Sequence, residues 1–403
     1  MKKTLWYISK YFSPKTQSSP GGRGWFLMSE IAKSGCSPVV ISSDSNNLVE
    51  PINLKNNVQI ETVENVQLVW LKTIKYKVAK SPARVLSWLH FEWNLFRLNK
   101  SLIPGPDVIV VSSLSLLTIL NGLLLKRRYG CRLVFEVRDI WPLSIVEQGG
   151  FSRFNPFVLF LGFVEWLGYK KSDAIVGTMP NLSEHVAKIL GHEKKVHCIP
   201  MGISNEQIDS VSSLEDKYVG KYLSSSKVKV VYAGTIGITN ALEVFFEAAV
   251  LLKDNCDIEF VVVGDGALRQ HYVDKYRHLK NIIFAPKVSK NQVQSVLSKC
   301  DIVCFAVFPS EVWKYGQSLN KVIDYMLSGK PIVASYTGYP SMINEAECGS
   351  FSPAGNAAAL AGELERYSKF SHYERESVGA KGREWLISNR KYEKLASKFS
   401  DIV

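Results

Sequence analysis

The sequence lacks the spacing that would tie its cysteines together. Its seven cysteines are odd in number and scattered, with no Cys-x-x-Cys pair, which argues against a disulfide framework and against structural zinc. Cys304 sits in an apolar run and reads as core. No apolar stretch is long enough for a transmembrane helix: Phe157–Tyr169 is broken by Glu165, Leu114–Leu125 by Ser115, Thr118 and Asn121, and both fall short of ~20 residues. The opening MKKTLWYISKYFSP is too polar for a signal peptide, so a cytosolic location is expected. No Asp-x-Asp occurs and none of the seven histidines falls in a His-x-x-x-His pair, so no metal or other cofactor is expected. RNA-reading aromatic motifs, zinc fingers and recognition-helix patterns are also missing, which ranks nucleic acid last among anionic partners.

The residues present have the composition of a globular protein. The 403 residues, 46 % hydrophobic and 21 % charged, exceed one ordinary domain and supply a core to each of two. The net charge of +12 is lopsided. Residues 1–200 carry 25 Lys and Arg against 14 Asp and Glu; residues 201–403 carry 24 against 23. A basic first half suits phosphates or anionic lipid, and a plain soluble basic surface accounts for the same count.

Strand and helix signals alternate twice along the chain. Leu5–Ser9, Val39–Ser42, Asp107–Val111, Arg132–Glu136, Asp173–Val176 and Val196–Ile199 read as strands of one parallel sheet, with a helix from about Arg23 to Ser34. Lys227–Tyr232, Ile258–Val263, Asn281–Phe284, Ile302–Ala306 and Pro331–Ala334 form a second set, with a helix near Ala241–Leu252. The expected fold class is α/β, two doubly wound Rossmann-like sheets. The boundaries fall at 1–205 and 206–384, with a helix at 385–403 packing back on the first domain. Ligands of such sheets sit beyond the carboxyl ends of the strands.

The densest chemistry lies in Tyr315–Ala334. Ser318 is a plausible helix cap, and Gly329-Lys330-Pro331 a stop. Leu319, Val322, Ile323, Met326 and Leu327 recur at helical spacing, which leaves Asn320, Lys321 and Asp324 on the opposite face. Amides at a helix start with a Lys in the first turn favour a phosphate, and a carboxylate one turn on suits ribose hydroxyls. A capped surface helix with a Lys–Asp pair fits the same pattern.

This stretch resembles the donor segment of family-4 GT-B retaining glycosyltransferases. Asp324-Tyr-Met-Leu-Ser-Gly-Lys-Pro-Ile-Val matches the second acidic position of that family's Glu-x7-Glu and the residues after it. The likeness is greatest to the O-antigen and capsule branch that includes the N-acetyl-L-fucosamine transferases. Pro14 with Gly21-Gly22-Arg23-Gly24, Arg138-Asp139-Ile-Trp-Pro142, Ile199-Pro-Met-Gly202, Tyr232-Ala-Gly-Thr-Ile-Gly237 and Val263-Gly-Asp-Gly266 keep the family's order along the chain. Two features depart from it. The first acidic position is Gly316, and the usual diphosphate-gripping Arg and Lys are replaced at Thr235 and Asn240–Ala241.

The resemblance implies two domains facing a central cleft, and transfer of a sugar with retention from a nucleoside diphosphate. The donor is expected to be UDP-linked and the sugar an N-acetylated hexosamine or 6-deoxyhexosamine. The acceptor is expected to be an undecaprenyl-diphosphate-linked saccharide at the inner face of a bacterial plasma membrane. It assigns Asp139, Arg138 and Lys321 to the reacting centre. Gly21, Gly22, Arg23, Gly234, Thr235 and Gly264 border the donor, as do Lys287, Tyr315, Gly316, Ser318, Leu319, Asn320, Lys321 and Asp324. A GT-B-type sugar-nucleotide epimerase and a non-catalytic sugar-nucleotide-binding partner are the alternatives.

Two basic-aromatic stretches suit an anionic bilayer interface, or equally an aromatic core with solvated basic faces. Lys72–Lys100 mixes Lys72, Lys75, Lys77, Lys80, Arg84 and Arg97 with Trp88, Phe91, Trp93 and Phe96. Phe151–Lys171 mixes Arg153, Lys170 and Lys171 with Phe154, Phe157, Phe160, Phe163 and Trp166.

Overall fold

Strand runs such as Ile-Val-Cys-Phe-Ala and Ile-Glu-Phe-Val-Val-Val are apolar on both faces, as strands covered by helices on either side must be. A computed structural model describes residues 2–16, 19, 21–46, 54–76 and 81–403. It divides into unit 1, Met1–Pro200 with Tyr392–Val403, and unit 2, Met201–Lys391.

Unit 1 holds β1 (Thr4–Ile8), β2 (Ser37–Ser43), β3 (Val58–Val63), β4 (Val66–Leu71), β5 (Val108–Ser112), β6 (Arg132–Val137), β7 (Ala174–Gly177) and β8 (Val196–Cys198). Their order is β3-β4-β2-β1-β5-β6-β7-β8, parallel except for the β3–β4 hairpin. The order reverses between β1 and β5, which makes the loops after those strands the switch point. Helices α1 (Arg23–Lys33), α2 (Pro82–Arg97), α3 (Thr118–Tyr129), α4 (Leu143–Gly149), α5 (Pro156–Lys171) and α6 (Leu182–Leu190) complete the unit. α1 packs with the returning helix Tyr392–Ser400 on one face, where Phe26 stacks on Tyr392. α2, α3, α5 and α6 lie side by side in another layer. The returning segment begins at Tyr392, because Leu386 in the preceding helix is still buried in the core of unit 2.

Unit 2 is a six-stranded parallel sheet of β9 (Val228–Ala233), β10 (Ile258–Val263), β11 (Ile282–Ala285), β12 (Ile302–Ala306), β13 (Ile332–Ser335) and β14 (Gly349–Ser352). The order β11-β10-β9-β12-β13-β14 puts its switch point between β9 and β12.

Three strands escape sequence reading. β3 and β4 form a hairpin across Glu64-Asn65, both at positive φ (47° and 68°), the mirror-image turn that matches strand twist. The alternation in Val58–Leu71 with Glu-Asn at its middle is the signal that marks it. β14 is only four residues long and begins with glycine, so it carries almost no pattern of its own.

Candidate active site

In unit 2 the loops after β9, β10 and β11 and the first turn of the helix Asn320–Leu327 surround a cavity of about 540 Å³. Gly234, Thr235, Gly264, Lys287, Leu319, Asn320, Lys321 and Asp324 all line it. Gly264 has φ +149°, and a Cβ there would stand 1.9 Å from the Gly234 carbonyl oxygen. The glycine therefore lets the β9 and β10 ends approach, whatever occupies the cavity.

Lys321 is the chemical centre of this wall. Its Nζ donates to Asn240 Oδ1 at 2.5 Å and to the Tyr232 hydroxyl at 3.3 Å, and lies 4.9 Å over the Tyr232 ring. Asn240 is itself held, its amide donating to the Thr235 carbonyl at 2.9 Å. No carboxylate pairs with Lys321 among the described residues, and burial pushes its pKa down to about 8. A largely desolvated ammonium with only neutral partners favours an anion, and the first-turn amides add to that potential. Asp324 is engaged differently: Lys290 Nζ donates to both its oxygens, at 2.6 and 2.5 Å. Lys287 faces Asp265 at 3.8 Å, both well exposed, a pair of little energetic weight.

Residues 227–369 match the family described as Glycosyl transferases group 1. The matched segment lies within unit 2. No curated protein matches the sequence. Among solved structures, the whole chain superposes on sucrose-phosphate synthase from Thermosynechococcus elongatus (TM-score 0.71, 15 % identity, 100 % of this chain and 98 % of that one). It also superposes on Anabaena Alr3699/HepE in complex with UDP (0.65, 13 %, 99 % of each). WaaG, a glycosyltransferase involved in lipopolysaccharide biosynthesis, is a third (0.66, 15 %, 99 % of each). These likenesses establish the GT-B fold.

Three predicted donor residues of unit 2 lie outside the cavity wall. Tyr315 is buried in the short turn Glu311–Tyr315, and Gly316 and Ser318 come after it without lining the cavity. Ser318 is not the helix cap either: Leu319 occupies that place in extended conformation, and the Ser318 hydroxyl is buried without a partner. Gly316 has φ 106° and ψ 179°, a region essentially restricted to glycine. Any side chain in the family's acidic position would strain this backbone. Tyr325, overlooked in the sequence, fixes the helix to the sheet: its hydroxyl accepts from the Ala233 amide at 2.9 Å and contacts the Cys304 carbonyl at 3.3 Å.

In unit 1 the expectation for Arg23 fails. Its guanidinium is fully buried and does not reach out to phosphates. It pairs with Glu136 at 2.5 Å and donates to the carbonyls of Ile199 (2.7 Å) and Pro200 (3.2 Å). Burial works to raise the Glu136 pKa, but Arg23, then Arg138, with hydrogen bonds from Tyr7 and Arg23, hold it below the usual carboxylate value. The pair clamps α1 to the end of β6 and to the chain leaving β8. Gly21 (φ 82°) and Gly22 form the turn into α1, with the Gly22 amide donating to the Ser13 carbonyl.

Arg138 and Asp139 come directly after β6, half-buried. Both Asp139 oxygens are occupied locally, by Ser144 Oγ at 2.5 Å and Trp141 Nε1 at 2.9 Å, so the carboxylate braces its own turn. Unit 1 also holds a network that sequence reading missed. Lys10, fully buried at the end of β1, donates to the Ser45 carbonyl and lies over the Tyr11 and Tyr76 rings. The Tyr11 hydroxyl accepts from Trp88 (2.7 Å) and Arg84 (3.1 Å) on α2. A Lys after a strand is visible in the sequence; its burial is not.

Proposed function

We propose that the protein is a retaining glycosyltransferase that moves a sugar from a UDP-linked donor to a hydroxyl of a lipid-linked saccharide in surface-polysaccharide synthesis. The transferred sugar is an N-acetylated hexosamine or 6-deoxyhexosamine, and the lipid carrier an undecaprenyl diphosphate at the inner face of the membrane. The observation that carries the reading is Lys321, a half-buried cation with no counter-ion among the described residues, in the cavity wall of the segment that matches the group 1 glycosyl transferases.

In this reading the bond from the anomeric carbon to the departing diphosphate oxygen breaks, and the acceptor oxygen bonds the same face. The acceptor proton passes to the departing diphosphate. Lys321 and the first-turn amides offset the charge that builds there, in place of a metal ion and of the family's missing Arg and Lys. Asp324 and Lys290 serve the ribose and neighbouring phosphate. Arg138, at the strand-carboxyl end of unit 1, serves the acceptor, and Asp139 acts there by bracing the turn that carries both residues.

The test is radiolabelled sugar transfer from a panel of UDP-sugars to lipid-linked acceptors in membrane extracts. Transfer by the parent and its loss in Lys321→Ala support the reading. Interconversion of the nucleotide sugar without acceptor would make the protein an epimerase. Donor binding with neither transfer nor donor hydrolysis would make it a binding partner.

A further inference from the structure

Ordinary amphipathic helices turn leucine and phenylalanine inward and glutamate outward. Two helices of unit 1 are apolar on both faces and turn their glutamate inward. α2 and α5 each contain one carboxylate, Glu92 and Glu165, and both point inward. Glu92 accepts from Thr118 (2.6 Å) and Asn121 (2.7 Å) of α3; Glu165 accepts from Tyr169 (3.0 Å) and contacts His185 Nε2 of α6 at 2.7 Å. The outward faces carry Trp93 (55 % exposed) and Phe96 on α2, Leu124 on α3, and Phe160 and Phe163 (57 % exposed) on α5. Phe154, just before α5, is 86 % exposed.

The sequence-level division of these segments needs correcting in detail. Trp88 and Phe91 are buried, because the α2 face they occupy packs on the unit; Phe157 and Trp166 are half-buried. Lys75 is paired with Asp44, and Lys77 and Lys80 lie outside the described residues. The groups left on the outside are apolar and cationic.

α3 contains no carboxylate at all, and its last turn is Lys126-Arg127-Arg128, of which Lys126 is paired with Asp173 at 2.6 Å and Arg127 and Arg128 are exposed. α2 ends in Arg97, which lies over the Trp93 ring, and α5 in Lys170-Lys171, with Lys170 over Trp166. The three helices return antiparallel to the strands they connect, so these last-turn cations fringe one edge of the layer. Aromatic rings on the face with ammonium and guanidinium groups at its border match the interface of an anionic bilayer, apolar beneath and phosphate-rich at its surface. A second copy of the same face would bring like charges together. Among the described residues no helix is long and apolar enough to cross a membrane.

We propose that the outer face of the α2-α3-α5 layer docks on an anionic phospholipid surface, with Trp93, Phe96, Phe160 and Phe163 entering the headgroup boundary. This deepens the lipid-linked-acceptor reading and, for its purpose, rests on it.

The experiment is co-sedimentation of the full chain, without donor or acceptor, with vesicles of phosphatidylethanolamine and phosphatidylglycerol or of phosphatidylcholine. The parent is expected to bind the anionic vesicles about tenfold or more tightly than the neutral ones, and to release them at high salt. The quadruple variant W93S/F96S/F160S/F163S should lose about tenfold or more of that affinity while keeping the parent's Tm and UDP binding. F308S/Y339S, which removes exposed rings from unit 2, should bind as the parent does. Three results would overturn the proposal: no vesicle binding by the parent, equal binding by the quadruple variant, or a parental dimer that the variant abolishes. UDP binding measured on the same preparations separates the two readings. Vesicle failure with UDP binding intact sinks only the docking face; vesicle binding without sugar transfer sinks only the enzymatic reading.

Discussion

The two units share one architecture and use its switch point in opposite ways. In unit 2 the loops after β9, β10 and β11 line a cavity whose half-buried cation, Lys321, has only neutral partners. In unit 1 the corresponding strand ends are filled by the chain's own groups: Arg23 has its Glu136, and Lys10 is wrapped in tyrosine rings and a carbonyl. Cations at equivalent strand ends thus have opposite surroundings. A buried cation paired with a carboxylate is compensated by its own chain; Lys321, held by an amide and a phenol in a cavity wall, has no carboxylate partner among the described residues.

The sharpest way to break that comparison is to delete both cations. Arg23→Ala leaves Glu136 buried and unpaired and is expected to destabilise unit 1 by about 3–5 kcal/mol, read by denaturant unfolding. UDP binding to the protein that remains folded should be unchanged. An Arg23→Ala protein of parental stability that no longer binds UDP would return Arg23 to the donor site.

Lys321→Ala is expected to do the converse, leaving stability near parental and lowering transfer by about 10²–10³-fold. Uridine, which carries no phosphate, should bind as before, and titration calorimetry with uridine and UDP separates the two. Because the Lys321 pKa stands at about 8, its charge is present below that pH and lost above it. UDP affinity is therefore expected to weaken as pH rises past 8, and Lys321→Arg should flatten the profile. If transfer and UDP affinity both survive Lys321→Ala, another cation holds the phosphates, with Lys290 next in the cavity wall.

Asp324→Ala should cost about 1.5–3 kcal/mol of donor affinity through the lost charge-assisted hydrogen bond. Unchanged affinity for both uridine and UDP would reduce Asp324 to a partner of Lys290.

The smallest effect sharpens the picture of unit 1. Burial lowers the Lys10 pKa from 10.5 to about 7, so unfolding takes up a proton between those values, and stability falls as pH drops from 10.5 towards 7. Glu92 runs the other way. Burial lifts it from 4.5 to about 7, the folded chain holds its proton longer, and stability falls as pH rises between those values. Together they place a shallow stability minimum near neutral pH. Lys10→Met should raise Tm at neutral pH by about 2–4 °C and flatten the alkaline limb. A Tm that falls instead would mean that Lys10 has a carboxylate partner in solution.

Much of this protein is written locally. Strands buried on both faces are continuous apolar runs, so β1, β2, β5–β7, β9, β10, β12 and β13 are legible; the less buried β8 and β11 are read as well, as is the helix carrying Asn320, Lys321 and Asp324 on one face. The stop at Gly329-Lys330-Pro331 needs no tertiary context, because glycine and proline act on their own backbone. The hairpin at Glu64-Asn65 is legible in principle, since a two-residue turn between alternating strands is also a local signal.

Three things were decided only by the assembled structure, each because it depends on a partner distant in sequence. Arg23 became a clamp when β6 brought Glu136, more than a hundred residues on, against it. Gly316 stands in a backbone conformation that strains any side chain, and its φ is set by the fold around it. The outward faces of α2 and α5 could not be chosen from periodicity, since both helices carry apolar residues all round. The choice fell to Thr118 and Asn121 beneath Glu92 and to Tyr169 and His185 beneath Glu165, which satisfy buried carboxylates and leave the aromatic rings outside.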